Sequence, residues 1–189
     1  MSTLLWITLA LAQDQPPADI ALAEVRQHHD ELVKLAGKNR WEGVERHYLA
    51  MLELGVPLGD DDHLAGAQAA RARGDVVAML DRLKVLQAQA PSAETQAWVE
   101  QIHSDWVQVR LSTSPPTPGV ELETRRKPFA ADERAGVEFA QAQVLELGAF
   151  SGWLPPGNYR FAGARVSLDA GDAPVELVQD MAWGGKKIR

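Results

Sequence analysis

The sequence predicts an α+β protein, in which an all-α half of helical hairpins precedes a small antiparallel β-rich module that contains one helix. Three observations lead to this prediction. From residue 18 to residue 104, apolar side chains recur at three- and four-residue spacing, the period of an amphipathic helix. After His103 they alternate at every second position, as they do in half-buried strands. Glycines and prolines interrupt both patterns at points where helices and strands are expected to end.

Glycines and prolines divide the helical half into five predicted helices. Acidic residues at 60–62 suit a helix start, because carboxylates there accept from free amides and meet the positive end of the helix dipole. Trp41 and Trp98 fall on apolar stripes and Trp106 begins the first strand, so all three are predicted to be core residues. The predicted helices cover about residues 18–36, 40–54, 63–74, 75–90 and 92–102.

The β-rich module is expected to start at residue 105, which divides the folded chain into parts at 18–104 and 105–189. A hairpin is predicted around Ala162 and Gly163, because alternating apolar residues flank this pair. The predicted strands lie near residues 106–111, 120–124, 159–161, 164–168 and 175–178, and the predicted helix of the module at 131–147.

Composition excludes several classes of function. The 189 residues contain no cysteine, which removes disulfides, Cys-ligated zinc, iron–sulfur clusters and thiol nucleophiles. The formal net charge is −7, and the acidic excess lies before residue 110. Nucleic-acid binding normally needs a basic patch, so no nucleic-acid partner is predicted. The five histidines form no i, i+4 pair and no His-Glu-x-x-His, so neither a metal site nor a cofactor is predicted.

The first residues have the pattern of a secretory signal. Residues 4–11 are uncharged and too short to cross a bilayer as a helix. Ala10, Leu11 and Ala12 give the small-x-small pattern that signal peptidase reads. We therefore predict a signal peptide at 1–12 and a polar leader at 13–17. No cysteine follows to carry a lipid, so a periplasmic or secreted protein without membrane insertion is expected.

Two of the predicted hairpins are similar at an offset of 35 residues, from Asn39 to Gly74 and from Tyr48 to Leu83. This pattern resembles the tetratricopeptide repeat, whose period is about 34 residues. The resemblance implies antiparallel helices stacked side by side, with a concave groove that accepts a peptide or a partner helix. Because a free-standing array needs three or more repeats, the fifth helix and the C-terminal module are expected to cover the open end.

The resemblance also implies which side chains face the groove. These positions do not have the lysine- and asparagine-rich pattern with which some family members hold a C-terminal carboxylate, so a protein or peptide partner of mixed polarity is expected. The implied function is that of a non-enzymatic interaction or scaffold protein of the cell envelope. The groove positions are Arg26, His29, Asp61, Leu64, Gln68 and Arg71.

The C-terminal module supports a second hypothesis. Its run from Leu154 to Phe161 resembles the strand-entry run of carboxypeptidase regulatory-like and PEGA-type modules, in which the chain crosses from one sheet to the other. Trp153, Tyr159 and Trp183 could form a stacking platform for sugar rings, which predicts a glycan- or envelope-binding module.

A third hypothesis is an enzyme with a carboxylate pair, since such pairs come together only in the fold. Glu121 and Glu123 share one face of a predicted strand. They are interpreted as solvent-facing partners of Arg125, so no catalytic residue is assigned.

Overall fold

The computed structural model describes residues 18–125 and 130–181, and it has an α+β layout with five helices before the β part. The predicted signal peptide at 1–12, the leader at 13–17 and Trp183 lie outside the described residues. The helices are α1 Ala18–Ala36, α2 Trp41–Glu53, α3 Asp60–Arg73, α4 Val76–Gln89, α5 Ala93–Asp105 and α6 Ala131–Leu147. The strands are β1 Val107–Ser114, β2 Leu122–Arg125, β3 Ala149–Leu154, β4 Gly157–Phe161, β5 Ala164–Leu168 and β6 Val175–Asp180.

Local sequence explains where the helices begin and end. The Asp75 and Ser92 side chains accept hydrogen bonds from the third residue of α4 and α5, at 3.0 and 3.1 Å. Gly74 and Gly148 follow α3 and α6 with φ of 80° and 68°, a conformation that glycine adopts without a steric penalty. No helix in the described part of the chain is long and apolar enough to cross a membrane.

The helical half contains two apolar clusters. One joins α1, α2 and α3 around Leu32, Tyr48 and Met51. The other joins α3, α4 and α5 around Met79 and Leu83. These two clusters pack the five helices against one another.

A buried ion pair connects the two clusters. Glu45 of α2 accepts two hydrogen bonds from the Arg82 guanidinium of α4, at 2.5 and 2.8 Å. Arg73 of α3 lies 2.9 Å from the same carboxylate. Arg82 also donates to the carbonyl of Gly66 and lies 4.4 Å from the centre of the Tyr48 ring. Side chains of α2, α3 and α4 therefore meet at one buried charge cluster.

The module consists of two three-stranded sheets, in the orders β3-β1-β6 and β2-β4-β5. β1 pairs with β3 antiparallel and with β6 parallel, so the first sheet is mixed, whereas both pairings of the second sheet are antiparallel. This double pairing also explains why β1 extends to Ser114, beyond the predicted end at 111. α6 packs on the module, and its buried face joins the same core as both sheets.

The predicted hairpin and the crossing between the sheets are both present. Ala162 and Gly163 have φ of 47° and 85° and connect β4 to β5 in a hairpin, as predicted. Leu154 ends β3 in the first sheet, and Gly157 begins β4 in the second, so this run crosses between the sheets.

The helical half and the module meet along a close contact. A Cβ at Gly74 would lie 2.1 Å from the carbonyl oxygen of Ala135, and one at Gly136 would lie 2.6 Å from the Trp106 ring. Glycine at both positions therefore allows α6 to approach α3. The rings of His103 and Trp153 stack at 5.1 Å in the same contact region between the halves.

Candidate functional site: the groove between α3, α5 and α6

An open groove of about 1130 Å³ lies where the two halves meet. The end of α3 contributes Gln68 and Arg71, and α5 contributes Glu94, Trp98 and Gln101. The remaining walls come from the start of α6 and from the turn between α1 and α2. The close approach at Gly74 places the first turns of α6 beside the C-terminal end of α3, and both border the groove.

Arg71 makes two contacts inside the groove. Its guanidinium donates to a carboxylate oxygen of Asp132 at 2.8 Å, which joins α3 to α6. The guanidinium carbon lies 5.4 Å from the centre of the Trp98 ring, within the range of a cation–π contact. The hydrogen bond from Arg71 holds the pKa of Asp132 below its usual value, so this carboxylate is ionised at neutral pH.

Three side-chain amides that line the groove have no hydrogen-bond partner among the described residues. Asn39 comes from the α1–α2 turn, Gln68 from α3 and Gln101 from α5. None of the three side chains hydrogen-bonds to any residue in the described ranges. Each therefore keeps a donor and an acceptor for a ligand.

Trp41 and Trp98 supply the aromatic lining. Both were predicted to be core residues; each packs in part against an apolar cluster of the helical half and also lines the groove, whereas Trp106 is fully buried as predicted. The indole N–H of Trp98 is shielded from solvent and has no acceptor in the described part of the chain. Periodicity identified the apolar stripes correctly, but it could not show that these two rings border a groove that the start of α6 also lines.

The six positions implied by the repeat resemblance separate in the structure. Gln68 and Arg71 line the groove. His29 instead lies against α3, with its Nδ1 2.7 Å from an Asp62 carboxylate oxygen. Leu64 packs partly against the cluster of α3, α4 and α5. Arg26 and Asp61 are exposed and do not belong to this groove.

The alternative platform in the module is not formed as predicted. Tyr159 is 3% exposed, and its hydroxyl donates to the carbonyl of Pro155 at 2.6 Å, so its ring faces are part of the core. Burial raises the pKa of Tyr159, in agreement with this position. Trp153 is half-buried against His103, and the third member, Trp183, lies outside the described residues.

The histidines pair across helices rather than along them. His28 and His47 approach each other at 2.9 Å between Nδ1 atoms, and His63 lies 3.0 Å from the Tyr48 hydroxyl. The hydrogen bond to Asp62 raises the pKa of His29, whereas burial lowers that of His63. Within residues 18–125 and 130–181, no three His, Asp or Glu side chains are placed to hold a metal ion.

The carboxylates considered for catalysis lie on the surface. Glu121 and Glu123 are both exposed, and Glu123 lies 3.8 Å from Arg160 rather than beside a second acid. The side chain of Arg125, their predicted partner, is outside the described atoms. Comparison with protein-family models, with curated proteins and with solved structures finds no match to this chain.

Proposed function

We propose that this protein is a non-enzymatic interaction protein that binds an extended peptide segment of a partner in the groove. The three uncommitted amides, Asn39, Gln68 and Gln101, are the observation that carries the proposal. An extended peptide presents a backbone donor and a backbone acceptor at almost every residue. Side-chain amides offer both functions, so amides on three separate elements suit a backbone that runs along the groove.

The size and the aromatic lining support a peptide over a small metabolite. A volume of about 1130 Å³ exceeds the roughly 300–1,000 Å³ that is usual for small-molecule pockets. Trp41 and Trp98 provide large, rigid contact areas of the kind that dominates protein–protein binding energy. The groove is also open, so a chain can enter and leave at its ends.

The setting of this function remains that predicted from the sequence. The signal-like N-terminus places the proposed partner in the periplasm or outside the cell. The proposed scaffold is the stack of helical hairpins that resembles tetratricopeptide repeats, with α6 as an additional wall.

Panning a random peptide library against the immobilised full chain tests this proposal. Selected peptides should lose about tenfold or more in affinity when Gln68→Ala and Gln101→Ala are combined, because two backbone-binding groups are removed. The matched control combines Gln27→Ala and Gln108→Ala, two exposed amides outside the groove, and it should leave binding unchanged. Selected peptides that bind both double variants equally, or a failure to select any peptide, would overturn the proposal.

A further inference from the structure

We propose that the peptide occupant carries a lysine or arginine side chain, which packs on Trp41 and pairs with Glu94. This inference rests on the proposed function and specifies the chemistry of the partner. It follows from three features of the groove: a guanidinium that already lies inside it, a carboxylate that pairs with no cation of the described residues, and an aromatic ring over which no such cation lies.

Arg71 shows that the groove accommodates a guanidinium. It lies 5.4 Å from the centre of the Trp98 ring while it donates to Asp132 at 2.8 Å. An aromatic face on one side and a carboxylate on the other form the environment that a cationic side chain prefers. Arg71 thus makes the kind of contact that a cationic side chain of a ligand can make elsewhere in the groove.

The charge of the lining favours a second cation over an anion. Its charged residues are Arg71, Glu94 and Asp132, which gives a formal charge of −1. Arg71 and Asp132 neutralise each other, whereas Glu94 has no ion-pair partner in the described ranges. An acidic ligand would meet two carboxylates in the lining, Glu94 and Asp132, and one guanidinium, Arg71, that already donates to Asp132.

Trp41 provides the aromatic surface for the second cation. No cationic side chain of the described residues lies over its ring, in contrast to Trp98. Its ring is half-buried and lines the same groove as Glu94. The net charge of −7 on the whole chain adds a long-range attraction for a basic segment.

The same peptide selection distinguishes this inference from the proposed function. Peptides whose binding depends on Gln68 and Gln101 should be enriched in lysine or arginine. Replacing that residue by glutamine in a selected peptide should weaken binding about tenfold, because an ion pair and a cation–π contact are lost together. Glu94→Gln in the protein should weaken binding about two- to fivefold and reduce its dependence on salt.

Glu100→Gln is the matched control, because Glu100 is an exposed acid on the same helix outside the groove. It should leave the affinity within about twofold of the parent. If amide-dependent peptides are neutral or acidic and are insensitive to Glu94→Gln, this inference is wrong while the proposed function stands. If no selected peptide depends on the two amides, both are wrong.

Discussion

Glu45 is a buried acid of the helical half that lies close to two arginines. Its carboxylate is 8% exposed and is surrounded by Arg82 at 2.5 Å and Arg73 at 2.9 Å. Three helices supply these groups, so the cluster determines how α2, α3 and α4 fit together. Such a cluster contributes to the choice of packing more than to the net free energy of folding, because burying the charges is itself costly.

Glu45→Ala should lower the free energy of unfolding by about 3–5 kcal/mol, because Arg82 would be left buried without its carboxylate. Urea denaturation followed by circular dichroism measures this loss. Glu42→Ala, an exposed acid in the first turn of the same helix, should cost about 1 kcal/mol or less. Combining Glu45→Leu with Arg82→Leu should cost less than Glu45→Ala alone; a larger cost would contradict the expected desolvation penalty.

Two histidines should affect stability in opposite directions as the pH changes. Burial lowers the pKa of His63 in the folded chain, so the unfolded chain takes up this proton first and stability falls as the pH drops below about 6.5. Asp62 raises the pKa of His29, so its stabilising effect is complete below about 6.5 and is lost as the pH rises through the raised pKa.

Urea midpoints between pH 5 and pH 8.5 test these two effects. Relative to the parent chain, His63→Asn should lose less stability on acidification, since asparagine retains a polar group near Nδ1 but does not titrate. His29→Gln should show a smaller decline above pH 6.5. Profiles for both variants that run parallel to the parent would show that neither histidine is linked to folding.

At the scale of elements, the helices were more predictable from sequence than the strands. α1 and α6 match their predicted bounds, because apolar periodicity and a following glycine specify a helix locally. The parallel pairing of β1 with β6 joins segments more than 60 residues apart, and no local pattern encodes such a partner. The same limit applied to the groove. Gln68 and Arg71 were predicted to face it, but the wall that α6 supplies depends on tertiary packing and could not be predicted from local sequence.

The crossing of α3 and α6 should be very sensitive to a single methyl group. Gly74→Ala would place a Cβ 2.1 Å from the Ala135 carbonyl oxygen in a backbone with φ of 80°. Gly163→Ala is the matched control, because it has φ of 85° but no atom within 4 Å of the added Cβ. The control should cost about 1–2 kcal/mol for backbone strain alone.

Gly74→Ala should cost at least about 2 kcal/mol more than Gly163→Ala, because α6 must also move away from α3. It should weaken peptide binding as well, since α6 carries the Asp132 wall of the groove. Denaturant midpoints and peptide affinities of the two variants measure the difference. Equal losses of unfolding free energy in the two variants would mean that α6 moves away from the added methyl group without an energetic cost.

At the scale of the whole molecule, the two halves are expected to unfold together. Trp106 is 6% exposed, belongs to the apolar cluster of α3, α4 and α5, and contacts the position of Gly136. Circular dichroism and tryptophan fluorescence should therefore follow one shared urea transition. Two separated transitions in the parent chain would show that the contact between the halves is weak.

Trp106→Ala should destabilise the whole chain by about 3–5 kcal/mol, because it leaves a cavity between the halves. Leu145→Ala, at an α6 position that is 54% exposed, serves as the control and should cost about 1 kcal/mol or less. The comparison is made on denaturant midpoints at one pH. A small effect of Trp106→Ala would mean that the contact between the halves relaxes around the missing ring.

The walls of the groove come from two separate parts of the chain, the helical half and α6. Glu94, Trp98 and Gln101 belong to the helical half, whereas the opposite wall at Ala131–Ala135 follows both β1 and β2 in the chain. Duplication or transfer of the helical hairpins alone would therefore copy the amides and tryptophans of the groove without its α6 wall, which carries Asp132. A groove with both walls therefore requires the helical hairpins and α6 in the same chain.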